Sequence, residues 1–135
     1  MLVNKIKVKE LMFHLDEIPV VFEDQYLKEA LVKMTKFSFG IVCVVDKDQI
    51  LKGIMTDGDI RRMVLNDQKP LPGLLLDDTV DHSKTKFACV KEDDLVIDAL
   101  DIIDKKKIWD LPVINDKGIL KGLLHLHPIV KMLTM

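Results

Sequence analysis

Ile50-Leu51-Lys52-Gly53 recurs residue for residue as Ile119-Leu120-Lys121-Gly122, an echo 69 positions apart that divides the chain into two copies of one unit. The same offset lays Glu23-Asp24 on Glu92-Asp93, Ala30-Leu31 on Ala99-Leu100 and Val44 on Val113. It also pairs Ile60 with Ile129 and Met63 with Met132. Gapless matches over such a span mark a duplication rather than coincidence.

Working outward from the echo, each copy reads as the same string of elements. A short apolar run at residues 19–22 is followed by Glu23-Asp24-Gln25, acidic and polar groups that suit the positive end of a helix. Leu27, Ala30, Leu31 and Met34 then fall at i, i+3, i+4 and i+7, one apolar helical face, and the second copy repeats it with Val96, Ala99, Leu100 and Ile103. The β-branched run at residues 41–45 is too short for a helix and predicts a strand. A polar turn (residues 46–49, or 115–118) leads to a further strand at residues 50–55 or 119–124. A second helix closes each copy, starting near Asp57 and near Leu126.

The order strand–helix–strand–strand–helix is an α/β pattern with apolar faces that one small copy cannot cover by itself. Two copies packed sheet against sheet in pseudo-two-fold symmetry are the natural solution. Residues 66–86, with Pro70, Pro72, Gly73, Asp77, Asp78 and Asp81, read as a linker holding one helical turn at residues 74–76. The expected organisation is a lead-in at 1–17, a first domain at 18–77 and a second at 78–135.

Composition narrows the function classes. The 135 residues are 48% hydrophobic and 31% charged, enough to bury a core and keep a polar surface. The formal net charge of −2, with signs interspersed, leaves no footprint for nucleic acid. Lys105, Lys106 and Lys107 suit the negative end of a helix dipole instead. No apolar run approaches the roughly 20 residues of a membrane span, and residues 1–9 lack the apolar core of a signal peptide. Cys43 and Cys89 sit in apolar runs as small buried hydrophobes, so a reduced, cytoplasmic protein is expected.

The segment Gly53-Ile54-Met55-Thr56-Asp57-Gly58-Asp59-Ile60-Arg61-Arg62 carries the chemistry. Gly53 admits close approach of a ligand or of neighbouring backbone. Thr56 can donate to an oxyanion at a helix start, and Asp59 can accept both hydroxyl hydrogens of a ribose diol. Arg61 or Arg62 would complete a phosphate clamp. The plainer alternative is that Thr56 and Asp57 cap the helix and Asp59 is an ordinary first-turn acid.

With the duplication, this segment resembles a pair of CBS (cystathionine beta-synthase type) domains over residues 8–132. Thr56 to Arg62, and the closing Gly122-Leu123-Leu124-His125-Leu126-His127, are similar to the C-terminal CBS pair of arabinose 5-phosphate isomerases. Val8-Lys9-Glu10-Leu11-Met12 and Asp16-Glu17-Ile18-Pro19 look like that group's linker. The resemblance implies a regulatory, ligand-sensing module without catalytic machinery, from a protein of Kdo and lipopolysaccharide sugar biosynthesis. In the implied first-copy cleft, Gly53, Thr56, Asp57, Asp59, Arg61 and Arg62 hold ribose and phosphate. Ile18, Val20, Ile41 and Val42 offer apolar and backbone contacts to a base.

The effector implied is AMP, ADP, ATP or CMP-Kdo, and no cofactor is implied. The partners implied are a second copy in a homodimer and a sugar-isomerase domain in cis or in trans. The chain is then expected to be either an excised regulatory fragment or a free-standing sensor, and a start so near the linker favours the fragment. Two other readings stand beside this one: an oligomerisation module that binds nothing, and the CBS module of a sugar nucleotidyltransferase, some of which carry a similar Thr-Asp-Gly-Asp-Ile-Arg-Arg segment.

The second copy departs from the pattern, because the offset lays Thr56 on His125 and Asp59 on Pro128. Gly122, His125 and His127 would form a degenerate site, with the histidines meeting an anionic group or merely capping a helix. His14 and His82 lie in connections, and no cysteine stands at a spacing that would complete a zinc site. Asp57 and Asp59 have no third acid or nucleophile–base set beside them in the sequence. Trp109 ends a helical stretch and is expected to anchor layers or a dimer interface.

Overall fold

The structure, a computed structural model, describes residues 3–134. Met1 and Leu2 of the expected lead-in, and Met135, lie outside the described residues. In chain order come β1 (Phe13–His14), β2 (Val20–Phe22), α1 (Leu27–Phe37), β3 (Ile41–Val45), β4 (Leu51–Thr56) and α2 (Asp57–Asn66). Then follow α3 (Leu71–Leu74), β5 (Val90–Lys91), α4 (Val96–Lys106), β6 (Asp110–Ile114), β7 (Leu120–His125) and α5 (Leu126–Leu133).

Two compact units result: Glu17–Phe87, and the described residues before Glu17 together with those from Ala88 onward. Residues 78–87 pack with the first copy, and the lead-in packs with the second.

In the first unit β2 runs parallel to β3, and β3 antiparallel to β4. The spacing read from the sequence places Leu27, Ala30 and Met34 inward, against Val21, Val42, Val44, Met55, Met63 and Leu74. Burial of a leucine, valine or methionine side chain in such a cluster stabilises by about 1.5–3 kcal/mol. α1 stops at Ser38, which turns left-handed (φ 58°) while its N–H closes on the last carbonyls. The helical turn expected at residues 74–76 lies earlier, at Leu71–Leu74. Pro70 precedes it and Pro72 stands in its first turn, where a fixed φ and a missing N–H are tolerated.

The second unit repeats this pairing and adds an edge strand, giving the order β1-β7-β6-β5. Its register copies the first at the 69-residue offset: Val21 faces Val44 as Val90 faces Val113, and Ile41 faces Thr56 as Asp110 faces His125. Even the bulge recurs, between Val44 and Val45 and between Val113 and Ile114. The core holds Val90, Val96, Ala99, Ile103, Leu111, Val113, Leu124 and Ile129, with Val8 of the lead-in among them.

A second repeat, invisible as identity, lies in two straps. Lys7 bridges Leu95 and Phe13 pairs with Leu123, while Asp78 bridges Tyr26 and Lys84 bridges Ile54. Val8 N–H donates to the Asp94 carbonyl at 2.8 Å, and Thr79 N–H to the Gln25 carbonyl at 2.9 Å. Val8 and Thr79 are both fully buried, Thr79 with its hydroxyl also on the Gln25 carbonyl. Each strap thus lays backbone along the outer strand of its unit. That explains the two echoed glycines: a Cβ on Gly53 would lie 2.9 Å from the Lys84 carbonyl oxygen, and one on Gly122 only 2.2 Å from that of Phe13. The close approach allowed by Gly53 is made by the chain itself.

Candidate ligand-binding site

β4 ends and α2 begins at Thr56, whose extended backbone (φ −110°, ψ 167°) makes it the N-cap. Its hydroxyl accepts the Asp59 N–H at 3.3 Å, and Asp59 Oδ2 accepts the Thr56 N–H at 2.9 Å. This is a capping box, formed because a hydroxyl and a carboxylate three residues apart can each satisfy the other's free amide. The Thr56 hydroxyl also lies 3.0 Å from the same Oδ2. The capping alternative and the converging pair are thus one arrangement, with Thr56 and Asp59 meeting at the head of a helix.

The other carboxylate oxygen, Oδ1, takes two cations: Arg62 at 2.8 Å and Lys84 Nζ at 3.2 Å. The Asp59 side chain is only 9% exposed. Burial pushes its carboxyl upward, but the Thr56 amide, Arg62, the Thr56 hydroxyl and Lys84 together outweigh it and hold Asp59 below the ordinary carboxylate range. Arg62 and Lys84 are each about half exposed, so both cations can swing into solvent at little cost.

The remaining expected residues divide by burial. Asp57 is exposed; its N–H donates to the Gly40 carbonyl at 3.0 Å, and a Cβ added to Gly40 would come within 2.7 Å of its Oδ2. Arg61 is exposed, and no ion pair joins it to Asp59. Ile18, Ile41 and Val42 are buried at 2% exposure or less, Val42 inside the core. Val20 is half-buried, and its carbonyl accepts Lys33 Nζ at 2.6 Å. The structure therefore gathers Thr56, Asp59 and Arg62, and adds Lys84, which sequence reading passed over as linker. No motif marks Lys84, because its place follows from the strap's pairing with Ile54.

In the second copy the same register sets His125 beside Asp110, Nδ1 to Oδ1 at 2.7 Å. Asp110 occupies the position of Ile41, and a lone acid inside an otherwise apolar strand was the available signal. Pro128 answers the loss of the capping acid differently. At the third position of α5 it carries no N–H, so the amide that Thr56 caps in the first copy has no counterpart to satisfy. His127 is exposed, and Gly122 faces the Phe13 strap. Burial raises the Asp110 carboxyl above its usual value, although His125 pulls the other way.

With a folded value above the unfolded one, ionised Asp110 costs stability at neutral pH, and the cost fades as pH falls toward the carboxylate range. Asp110→Asn is expected to be more stable than the parent at pH 8, because the uncharged amide carries no burial cost for a carboxylate. That gap should shrink toward pH 4 in thermal melts. An equal gap at both values would refute the assignment.

Trp109 is 68% exposed, not wedged between layers as one reading of the sequence had it. It rims a surface hollow of about 310 Å³ with Leu100, Ile103, Ile108 and Leu126, and with Asp104 and Lys107 at the polar edge. Cys43 is buried as expected, while Cys89 is half-buried with its thiol raised by burial; neither forms a disulfide. Among the described residues no three histidine, cysteine or acidic side chains gather as a metal site, and no helix is long and apolar enough to cross a membrane.

The sequence profile of the CBS domain matches residues 8–66 and again residues 80–133. An uncharacterized protein of Rickettsia prowazekii is 35% identical over 130 residues, covering 96% of this chain and 38% of that protein. Arabinose 5-phosphate isomerase GutQ of Escherichia coli is 31% identical over 122 residues, covering 90% of this chain and 36% of the isomerase. The chain thus spans a little over a third of the length of the curated relatives it matches.

Among solved structures, CBSX2 in complex with AMP aligns with a TM-score of 0.83 at 21% identity, over 96% of each chain. The CBS domain pair of MJ0100, in complex with 5-methylthioadenosine and S-adenosyl-L-methionine, aligns at 0.78 with 19% identity, over 95% of each. CbpB in complex with c-di-AMP aligns at 0.79 with 17% identity, over 97% of this chain and 86% of that one. At such identities the likeness is one of fold, the α/β arrangement expected from the repeat.

Proposed function

This chain belongs to the CBS domain family as a tandem pair, and from that premise we propose that it is a regulatory sensor that binds a nucleotide or nucleotide-sugar in its first copy. One observation carries the reading: Thr56 and Asp59 converge at the head of α2, ringed by the cations of Arg62 and Lys84. A carboxylate of this kind accepts a ribose diol, and a hydroxyl, a helix start and two cations suit a phosphate. Related folds in complex with AMP, S-adenosyl-L-methionine and c-di-AMP lend support, since all three ligands contain adenine on a ribose.

The parent protein is then an arabinose 5-phosphate isomerase-like enzyme of the cytoplasm, in the route to lipopolysaccharide sugars. Support comes from the isomerases matched over only 36% of their length, which leaves room for a sugar-isomerase domain in cis. This chain itself performs no catalysis, and ligand binding acts by biasing the attached enzyme between two states. AMP, ADP, ATP and CMP-Kdo are the effectors to try. In isothermal titration of the full chain at least one is expected to bind with one strong site; silence from all four sinks the sensor.

A second reading, a module that only dimerises its enzyme, draws on exposed apolar side chains of the closing helices. These are Val64 and Leu65 of α2 and Val130 and Leu133 of α5, between 45% and 75% exposed. Light scattering with and without nucleotide separates the two, because a pure scaffold gives a dimer indifferent to every ligand.

A further inference from the structure

Asp59 accepts from four donors, and the four are not equivalent. Oδ2 is held by the Thr56 amide and hydroxyl, both part of the helix cap. Oδ1 is held by Arg62 at 2.8 Å and Lys84 at 3.2 Å, long side chains about half exposed. A carboxylate oxygen so occupied has no lone pair left for a diol, so an incoming ribose must displace something. Displacing Thr56 would uncap α2. Displacing the cations costs only their ion pairs, provided their charge finds another anion.

From this, and resting on the nucleotide reading above, we infer that Lys84 and Arg62 are exchangeable counter-ions that make the first-copy site select for a phosphorylated ligand. Both close over Asp59 Oδ1. When a nucleotide enters, the diol takes Oδ1 and the two cations transfer to the phosphate, so net pairing is conserved. A nucleoside offers the diol without the anion and leaves both cations unpaired. Lys84 is therefore a specificity-determining residue supplied by the strap, held within reach because its backbone N–H and carbonyl both pair with Ile54, at 2.8 and 3.0 Å. Those backbone bonds do not depend on the side chain, so Lys84→Met should keep the strap in place.

The test is isothermal titration of the full chain and of Lys84→Met and Lys84→Arg with two matched pairs, AMP with adenosine and CMP with cytidine. The parent is expected to prefer the 5′-phosphate of whichever base it accepts. Lys84→Met is expected to weaken the nucleotide about tenfold while leaving the nucleoside unchanged or tighter, since one competitor for Asp59 is gone. Lys84→Arg should restore the preference. Equal weakening of nucleotide and nucleoside, or no change in either, overturns the counter-ion role and leaves the nucleotide site standing. Failure of the parent to bind any of the four overturns the counter-ion role, and the nucleotide reading falls with it only when ADP, ATP and CMP-Kdo are silent as well.

Discussion

Gly122→Ala is expected to destabilise the chain by about 3 kcal/mol, the upper range for an overpacked site that cannot relax. The added Cβ would stand 2.2 Å from the Phe13 carbonyl oxygen, a backbone atom fixed by the β1–β7 pairing, with the Met12 sulfur 3.3 Å away. Relief requires the strap to lift. Lifting it exposes Val8, which is fully buried, and breaks the bonds from Val8 N–H to Asp94 and from Lys9 N–H to Glu92.

Gly53→Ala meets the Lys84 carbonyl at 2.9 Å and should cost less, because a small shift restores contact. Gly73→Ala meets only the flexible Lys69 side chain and should be close to neutral. Urea unfolding ranks the three, and hydrogen exchange reads the Val8 and Lys9 amides directly. A Gly122→Ala protein as stable as the Gly73→Ala control would mean that the strap does not lie where described.

Asp59→Ala is expected to reduce nucleotide affinity by about 100-fold or more, the loss of two charge-assisted hydrogen bonds to a diol. It also removes half of the capping box, at about 1–2 kcal/mol of stability. The two effects are separable with Asp59→Asn, whose amide oxygen still accepts the Thr56 N–H while the negative charge is gone. Asparagine should keep most of the stability and lose most of the binding. If it binds as tightly as the parent in calorimetry, Asp59 is a cap and nothing more.

The pH dependence has a definite sign. Asp59 is held below its ordinary value, so its stabilisation is complete above the unfolded value near about 3.9 and is lost as pH falls through the lower folded one. Unfolding of Asp59→Asn should accordingly be less acid-sensitive than that of the parent.

Sequence alone settled what depends on short-range pattern. The echo of Ile50–Gly53 in Ile119–Gly122 predicted two copies of one unit, and the register of every β3–β4 pair returns in β6–β7 at the same offset. The apolar faces of α1 and α4 followed from spacing, since Leu27, Ala30 and Met34, like Val96, Ala99 and Ile103, are buried. Thr56 and Asp59 were legible because a capping box closes within one helical turn and needs no distant partner.

Tertiary structure decided the rest, and the common cause is backbone pairing between segments far apart in the chain. The straps bind through N–H and carbonyl groups that every residue possesses, so residues 7–14 and 78–84 show no shared sequence, only the two glycines they press against. That pairing brings Lys84 to Asp59. Cross-strand register, also a backbone matter, turns Asp110 and His125 from isolated residues into a hydrogen-bonded pair. Side-chain pattern is written in one dimension; which backbones meet is settled only when the chain closes on itself.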